Sequence, residues 1–200
     1  MMTDAELRLL SPRTYLLAMP AILPRYTVDD LDSFPDDGNR YELLDGRLLV
    51  TPAPMPPHEF VVLRIREALT AYLGRAAMVF THGAVQVRPR NHLEPDLLVL
   101  PATVRVARSW GEMRGFWLAV EVSGLGSRVY DRDYKHAGYH ALGVTEVWRA
   151  DLRDRCIEVS RLDRPGVMTI RDRLEWRAPG FPTGLSIELQ EVFAGIEHDD

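Results

Sequence analysis

The sequence predicts a mixed α/β domain (α+β), in which a central mixed β-sheet is flanked by helices on both sides. Two continuous apolar runs, residues 97–100 and 116–122, are typical of strands covered on both faces. A helix is predicted from about residue 58 to 73 and a second from about 129 to 142, which Gly143 would cap. The buried stripe of the first helix follows steps of three or four residues: Val62, Ile65, Leu69 and Leu73.

Shorter elements are predicted around this framework. Thr27 followed by Asp30 has the spacing of a helix N-cap. Asp45-Gly46 between two apolar runs predicts a β-hairpin, and the alternation of residues 78–87 predicts a second strand pair. The C-terminal third is predicted to hold strands at 144–150 and 156–161, one further strand, a Pro/Gly loop and a short helix at 188–193.

The domain organisation follows from the distribution of prolines and periodic segments. Residues 1–24 contain three prolines and no steady periodicity, which predicts an N-terminal extension. Residues 25–195 form the predicted domain, and residues 196–200 a C-terminal tail. The first residues carry Asp4 and Glu6 where a signal peptide would be basic, so we expect no signal peptide, no membrane span and a cytoplasmic location.

Composition excludes several classes of protein. The formal net charge of −5 argues against a protein that coats nucleic acid over its whole surface. Residues 83–142 are more basic, with eight Arg or Lys against six acids, which permits local phosphate binding. Cys156 is the only cysteine, so the chain has no internal disulfide and no Cys-based zinc site.

Two carboxylates stand out in the predicted central strands. Asp96 opens the first apolar run directly after Pro95, and Glu121 lies near the end of the second. Charged groups are seldom buried unless they are paired or bind a metal. Magnesium prefers oxygen ligands and usually takes one or two carboxylates. The pair therefore predicts a site for metal-dependent phosphodiester cleavage, with Mg (or Mn) as the cofactor and the backbone carbonyl of Val122 as a third protein ligand.

Lys135 is the only lysine among 24 basic residues. Asp131, Lys135 and Tyr139 follow one another at steps of four, which puts them on one face of the predicted second helix. An ammonium group facing two carboxylates would orient an attacking water or stabilise developing negative charge. Because arginine is planar and always protonated, it is no equivalent for that role.

Several motifs resemble the Uma-type family of bacterial proteins, which is classed as a domain of unknown function and described as putative restriction endonucleases. They are DDGNRYELLDGRLL, EPDLLVL, LAVEVS and YDRDYKHAGYHALGVTEVW, in order within residues 25–195. The resemblance implies a restriction-endonuclease-like core and membership of the PD-(D/E)XK nuclease superfamily.

The resemblance also implies roles for particular residues. Pro95-Asp96 corresponds to the P-D motif and Glu121 to the second acidic residue. A lysine is expected two positions later, but residue 123 is Ser, and Lys135 would take its place. Glu42 matches the acidic residue of the YEL-x-DG motif and would add a carboxylate. The turn after Ser123 departs from the family, since it is richer in glycine.

DNA is the expected partner, and a homodimer is a further hypothesis. Residues that would contact nucleic acid lie in the basic middle: Arg88, Arg90, Arg128 and Arg132. An alternative is that Glu121 and Lys135 form a structural ion pair in a non-catalytic nuclease-like domain, which binds nucleic acid or a protein partner. We expect His58 to be a helix cap or surface residue, and His136 and His140 to lie on a solvated face.

Overall fold

The structure is a computed structural model that describes residues 25–124 and 129–196; for residues 129–133 it describes the backbone alone. The predicted extension (1–24), Arg128 and residues 197–200 lie outside the described residues, as do the side chains of Asp131 and Arg132. In the described part of the chain, no helix combines the length and apolar character needed to cross a membrane.

The described residues contain twelve strands and three α-helices. The strands are β1 (Arg40–Leu44), β2 (Arg47–Thr51), β3 (Ala77–Phe80), β4 (Val85–Val87), β5 (Asn91–Leu93), β6 (Leu97–Pro101), β7 (Leu118–Ser123), β8 (Glu146–Asp151), β9 (Cys156–Arg161), β10 (Arg164–Ile170), β11 (Arg173–Trp176) and β12 (Leu185–Glu188). The α-helices are α1 (Pro56–Leu73), α2 (Val129–Ala141) and α3 (Leu189–Val192). Two short 3₁₀ helices span Val28–Ser33 and Trp110–Glu112.

A six-stranded mixed sheet forms the centre, in the order β10-β9-β8-β7-β6-β3. Strands β7 and β8 are parallel, and the other neighbours are antiparallel. The two long apolar runs become β6 and β7, side by side inside this sheet, as the sequence predicts. A four-stranded sheet, β2-β1-β5-β4, and a β11-β12 ribbon complete the architecture.

Both faces of the central sheet are covered by hydrophobic clusters. Leu97, Val99 and Val120 pack with α1 and the ribbon on one face. Leu98 and Ala119 belong to the cluster on the other face, which includes residues of α2 and of the four-stranded sheet. Successive side chains of a strand point to opposite faces, which explains why neighbouring residues of β6 and β7 enter different clusters. The predicted central mixed sheet, covered on both sides, is confirmed.

Most element predictions hold. The predicted stripe of α1 is buried, and the hairpin turn at Asp45-Gly46 has positive φ at both residues (51° and 75°), as a type I′ turn requires. The predicted pairing within residues 78–87 is wrong, because β3 pairs with β6 and β4 pairs with β5. Alternation identifies a strand but does not select its partner. The C-terminal segment forms three strands, β10–β12, where one is predicted.

Candidate active site

Asp96 and Glu121 come together where β6 begins and β7 ends. The antiparallel register pairs Leu97 with Val120, so one further step brings Asp96 opposite Glu121. Strand alternation puts both on the face of the sheet that α2 and the four-stranded sheet cover. The backbone N–H of Val122 donates to Asp96 Oδ2 at 2.7 Å, which ties the start of β6 to β7. The two predicted carboxylates therefore share one site on adjacent strands.

Asp96 is buried and held by two further donors. Arg40 Nη1 donates to Asp96 Oδ1 at 3.0 Å, and His58 Nε2 lies 3.1 Å from Oδ2. Burial acts to raise the pKa of Asp96, but the hydrogen bond and charge of His58 and the charge of Arg40 outweigh it. The pKa of Asp96 is therefore below its ordinary value, and the side chain is a carboxylate at neutral pH.

Lys135 bridges two carboxylates on the same face. Its Nζ donates to Glu42 Oε2 at 2.6 Å and to Glu121 Oε1 at 3.2 Å. Burial acts to lower the pKa of Lys135, but the charges of Glu121 and Glu42 raise it above the ordinary value. Lys135 is accordingly a protonated donor and not a base.

Lys135 compensates the charge of Glu121 only in part. Burial raises its pKa to about 7, Lys135 acts against that shift, and the charges of Glu42 and Asp96 add to it. Tyr139 OH donates to Glu121 Oε1 at 2.5 Å, and burial raises the pKa of this phenol well above its ordinary value. Two donors therefore use Oε1 of Glu121, and a cation near Oε2 would stabilise the ionised form.

Glu42 anchors Lys135. It is fully buried, its Oε1 accepts the backbone N–H of Glu94 at 2.8 Å, and its Oε2 accepts Lys135. Helix α2 approaches β1 closely at this point: a Cβ added to Gly138 would meet Leu44 Cδ2 at 2.5 Å. The glycine thus lets α2 approach β1, one helical turn from Lys135. With both oxygens engaged, Glu42 acts as a positioning residue for the ammonium group.

The carboxylate pair fits a hard divalent cation by its chemistry. Glu121 Oε2 lies outside the hydrogen bonds from Lys135 and Tyr139, which both go to Oε1. Asp96 Oδ1 is paired with Arg40 Nη1, which a cation on that side would displace. Carboxylate oxygens and a backbone carbonyl are ligands that Mg²⁺ prefers. Among the described residues, no cluster of three or more His, Cys, Asp or Glu has metal-binding geometry. The predicted ligand set of Asp96, Glu121 and the Val122 carbonyl, completed by water, stays a prediction.

The family comparison applies to nearly the whole described chain. Residues 28–197 match the model of the Uma2 family, described as "Putative restriction endonuclease". The chain belongs to the Uma2 family. No curated protein matches it significantly.

A solved structure is similar to this Uma2 domain. It is the crystal structure of "a putative nuclease belonging to DUF820" from Anabaena variabilis, with a TM-score of 0.69 at 15% sequence identity. The alignment covers 84% of this chain and 97% of that chain. At this identity the likeness concerns the fold, which is restriction-endonuclease-like.

Two residues of the site in the Uma2 domain, His58 and Arg40, were not identified from the sequence. The prediction that His58 is a cap or surface residue is wrong, because its ring contacts Asp96. His58 precedes Val62 by four residues, so it lies on the same face of α1 as the buried stripe. This spacing could have predicted that His58 points inward. Arg40 precedes Glu42 by two positions on β1, so alternation puts the two side chains on one face.

The remaining predictions concern the exposed arginines and the histidines of α2, since the side chains of Arg128, Asp131 and Arg132 lie outside the described residues. Arg88 and Arg90 are exposed, and Arg88 pairs with Asp29 at the surface. The prediction of a solvated face for His136 and His140 is wrong: His136 is buried, and the ring of His140 contacts Val144 O and Ser160 Oγ. Helix α2 therefore carries buried polar groups on more than one side.

Proposed function

We propose that this Uma2 domain is a metal-dependent endonuclease that hydrolyses phosphodiester bonds in DNA, with Asp96 and Glu121 holding Mg²⁺ or Mn²⁺. The observation that supports it is the meeting of these two carboxylates with Lys135, since Glu121 has a raised pKa and retains an oxygen outside its tight hydrogen bonds. Perturbed ionisable groups of this kind concentrate at functional sites.

When bound, the cation would neutralise charge on the scissile phosphate and acidify a water molecule. The chain supplies the remaining groups. Lys135 is held by Glu42 as a permanent ammonium donor, suited to orient a nucleophile or stabilise charge that develops at the phosphate. Arg40 lies against Asp96 Oδ1 and is partly exposed, so its guanidinium is available to a phosphate oxygen once a cation occupies that side of Asp96.

His58 and Tyr139 orient the two ligands. The hydrogen bond of His58 to Asp96 Oδ2 keeps that carboxylate fixed, and the Tyr139 hydroxyl does the same for Glu121. Partners of this kind set the direction and basicity of metal ligands. Val122 contributes twice in this proposal, through its N–H to Asp96 and through its carbonyl as the third ligand.

The second candidate function is a non-catalytic nuclease-like domain that binds nucleic acid or a protein partner. The observation in its favour is that Lys135 already has two carboxylate partners, as a structural ion pair would require. This alternative expects no divalent cation at Asp96 and no cleavage.

Metal binding and cleavage measured together test the proposal. Crystals soaked in MnCl₂ should show an anomalous peak between Asp96 and Glu121, and titration calorimetry should find one site that Asp96→Asn abolishes. The matched control is Glu175→Gln, which removes an exposed carboxylate from β11. Cleavage of plasmid, linear duplex and single-stranded DNA should require the metal. No peak and no cleavage of any DNA form would contradict the proposal and favour the non-catalytic domain.

A further inference from the structure

A groove runs from the first turns of α1 to Asp96. Its volume is about 580 Å³, within the roughly 300–1,000 Å³ of typical small-ligand sites. Beside Asp96 its lining includes residues of three kinds: the cations Arg40 and Arg66, the apolar side chains of Phe60 and Leu63, and the polar rim of Thr81 and His82. Whatever occupies the groove therefore lies next to Asp96, one member of the carboxylate pair.

We propose that this groove binds an unpaired nucleotide next to the scissile phosphate, so that single-stranded DNA is the preferred substrate. The inference rests on the nuclease function proposed above and names the substrate of the same site. It is carried by the combination of an exposed aromatic ring, flanking arginines and direct access to Asp96.

The exposed ring is Phe60, in the first turns of α1. Phe60 is 55% exposed and Leu63, three residues further along the helix, is 37% exposed, although other residues of the same helix pack in the core. Every base has a face that stacks on an aromatic ring, and this contact is open only when the base is unpaired. In a duplex, neighbouring base pairs cover those faces, so Phe60 would find no partner there.

The charges in the groove complement a nucleotide backbone. Arg66 is exposed on α1 and Arg40 lies at the inner end, where its Nη1 contacts Asp96 Oδ1. Guanidinium groups favour phosphate oxygens because they offer paired donors. The one exposed acid of the lining, Glu59, lies 3.7 Å from His58 Nδ1, which partly offsets its charge. A strand whose base stacks on Phe60 would thus have cationic partners for its phosphates on the way to Asp96.

Binding without metal tests the groove separately from catalysis. The probe is a fluorescein-labelled 12-mer of thymidylate, compared with a hairpin duplex of equal charge, in EDTA with anisotropy as the readout. Phe60→Ala should weaken binding of the single strand about 10-fold, and Phe60→Tyr should restore it, since the ring is retained. The matched control is Val106→Ala, at a side chain 72% exposed outside the groove, which should bind as wild type does. Duplex binding should be the same for all four proteins.

Three results would overturn the inference: no binding of the single strand by wild type, no effect of Phe60→Ala, or an equal loss on the duplex. An equal loss on the duplex would point to a general surface effect. If Phe60→Ala leaves DNA binding unaltered but abolishes binding of an acidic peptide, the groove binds a protein partner instead. Thermal melts exclude misfolding of the variants.

Cleavage of the same probes with MnCl₂ separates the two proposals. If Phe60→Ala cleaves single strands as fast as wild type, the nuclease function stands and the groove assignment fails. If binding depends on Phe60 but wild type cleaves nothing, the groove assignment stands and the nuclease function fails.

Discussion

Two clusters of buried charge lie side by side on the same face of the central sheet, and they are built differently. One is the candidate active site around Glu121 on β7. The other surrounds Arg149, which is the register partner of Glu121 on the parallel strand β8. Arg149 lies 2.8 Å from both Asp151 and Glu158 and also donates to Ser123 Oγ at 2.6 Å.

The pKa shifts of Asp151 and Glu121, one carboxyl group from each cluster, have opposite directions. At Asp151, burial is outweighed by the backbone N–H of Asp154 and by the hydrogen bond and charge of Arg149, so its pKa is lowered. At Glu121, burial prevails and the pKa is raised to about 7. Arg149 thus compensates the charge of Asp151, whereas the Glu121 carboxylate would gain from a further cation. We infer that the first stabilises the fold and the second is arranged to bind.

The largest expected effect is on stability. Arg149→Met should lower the free energy of unfolding by about 3 kcal/mol, because it leaves the partly buried Asp151 and Glu158 without their cation. Urea unfolding at pH 7 measures it. The matched control is Arg173→Met in the exposed pair with Glu188, expected to cost less than about 1 kcal/mol. Similar losses for both variants would contradict the structural role given to Arg149.

The second prediction concerns catalysis. Lys135→Arg should slow single-turnover cleavage about 100-fold or more, because the bulkier planar group cannot place one compact ammonium between Glu42 and Glu121. Metal binding should persist, since Asp96 and Glu121 remain. A thermal melt controls for folding. Equal rates for wild type and variant would remove Lys135 from the mechanism.

The third prediction is a pH dependence of stability. Because the pKa of Glu121 in the folded protein is raised to about 7, the folded state holds this proton more tightly than the unfolded chain. Its contribution to stability is therefore lost as pH rises from about 4.5 to about 7, by on the order of 3 kcal/mol. Glu121→Gln does not titrate, so it should be more stable than wild type at pH 8 and similar to it at pH 4.

Addition of MgCl₂ tests whether the ionised Glu121 binds a cation. MgCl₂ should raise the melting temperature of wild type at pH 8 and leave Glu121→Gln unchanged, because only the carboxylate provides the ligand. A Glu121→Gln protein that is less stable than wild type at pH 8 would instead support the structural ion pair with Lys135.

A smaller effect is expected at His58. His58→Ala should weaken metal binding about 10-fold, since it removes one of the three donors that orient Asp96. Titration calorimetry with MnCl₂ measures the affinity. His58→Gln keeps an N–H donor and should lose less. An unchanged affinity in His58→Ala would mean that the Val122 N–H and Arg40 orient the carboxylate without His58.

The smallest effect concerns the exposed arginines. Arg88→Ala and Arg90→Ala should each weaken DNA binding a few-fold and reduce the salt dependence by about one counterion, if these side chains contact phosphates. Arg177→Ala, exposed beyond the end of β11, is the control. Anisotropy across a range of NaCl concentrations measures the slope. Binding that does not depend on salt would point to a protein partner instead of DNA.

The sequence by itself determined the central strands and the groups that interrupt them. Asp96 and Glu121 are conspicuous because each lies in or beside an apolar run, and Lys135 because no other lysine exists in the chain. Such signals are local: strand and helix periodicity decides which face a side chain takes. The same reasoning correctly predicts α1, the Asp45-Gly46 turn and the strands β6 to β9.

Only the tertiary structure decided which distant groups complete the site. Arg40 reaches Asp96 across 56 positions, and Lys135 reaches Glu42 across 93. The tertiary structure likewise decided that β3 pairs with β6 and that the His58 ring contacts Asp96. Alternation and helical register leave the partner open, because the free energy that selects it comes from burial shared between segments far apart in the chain.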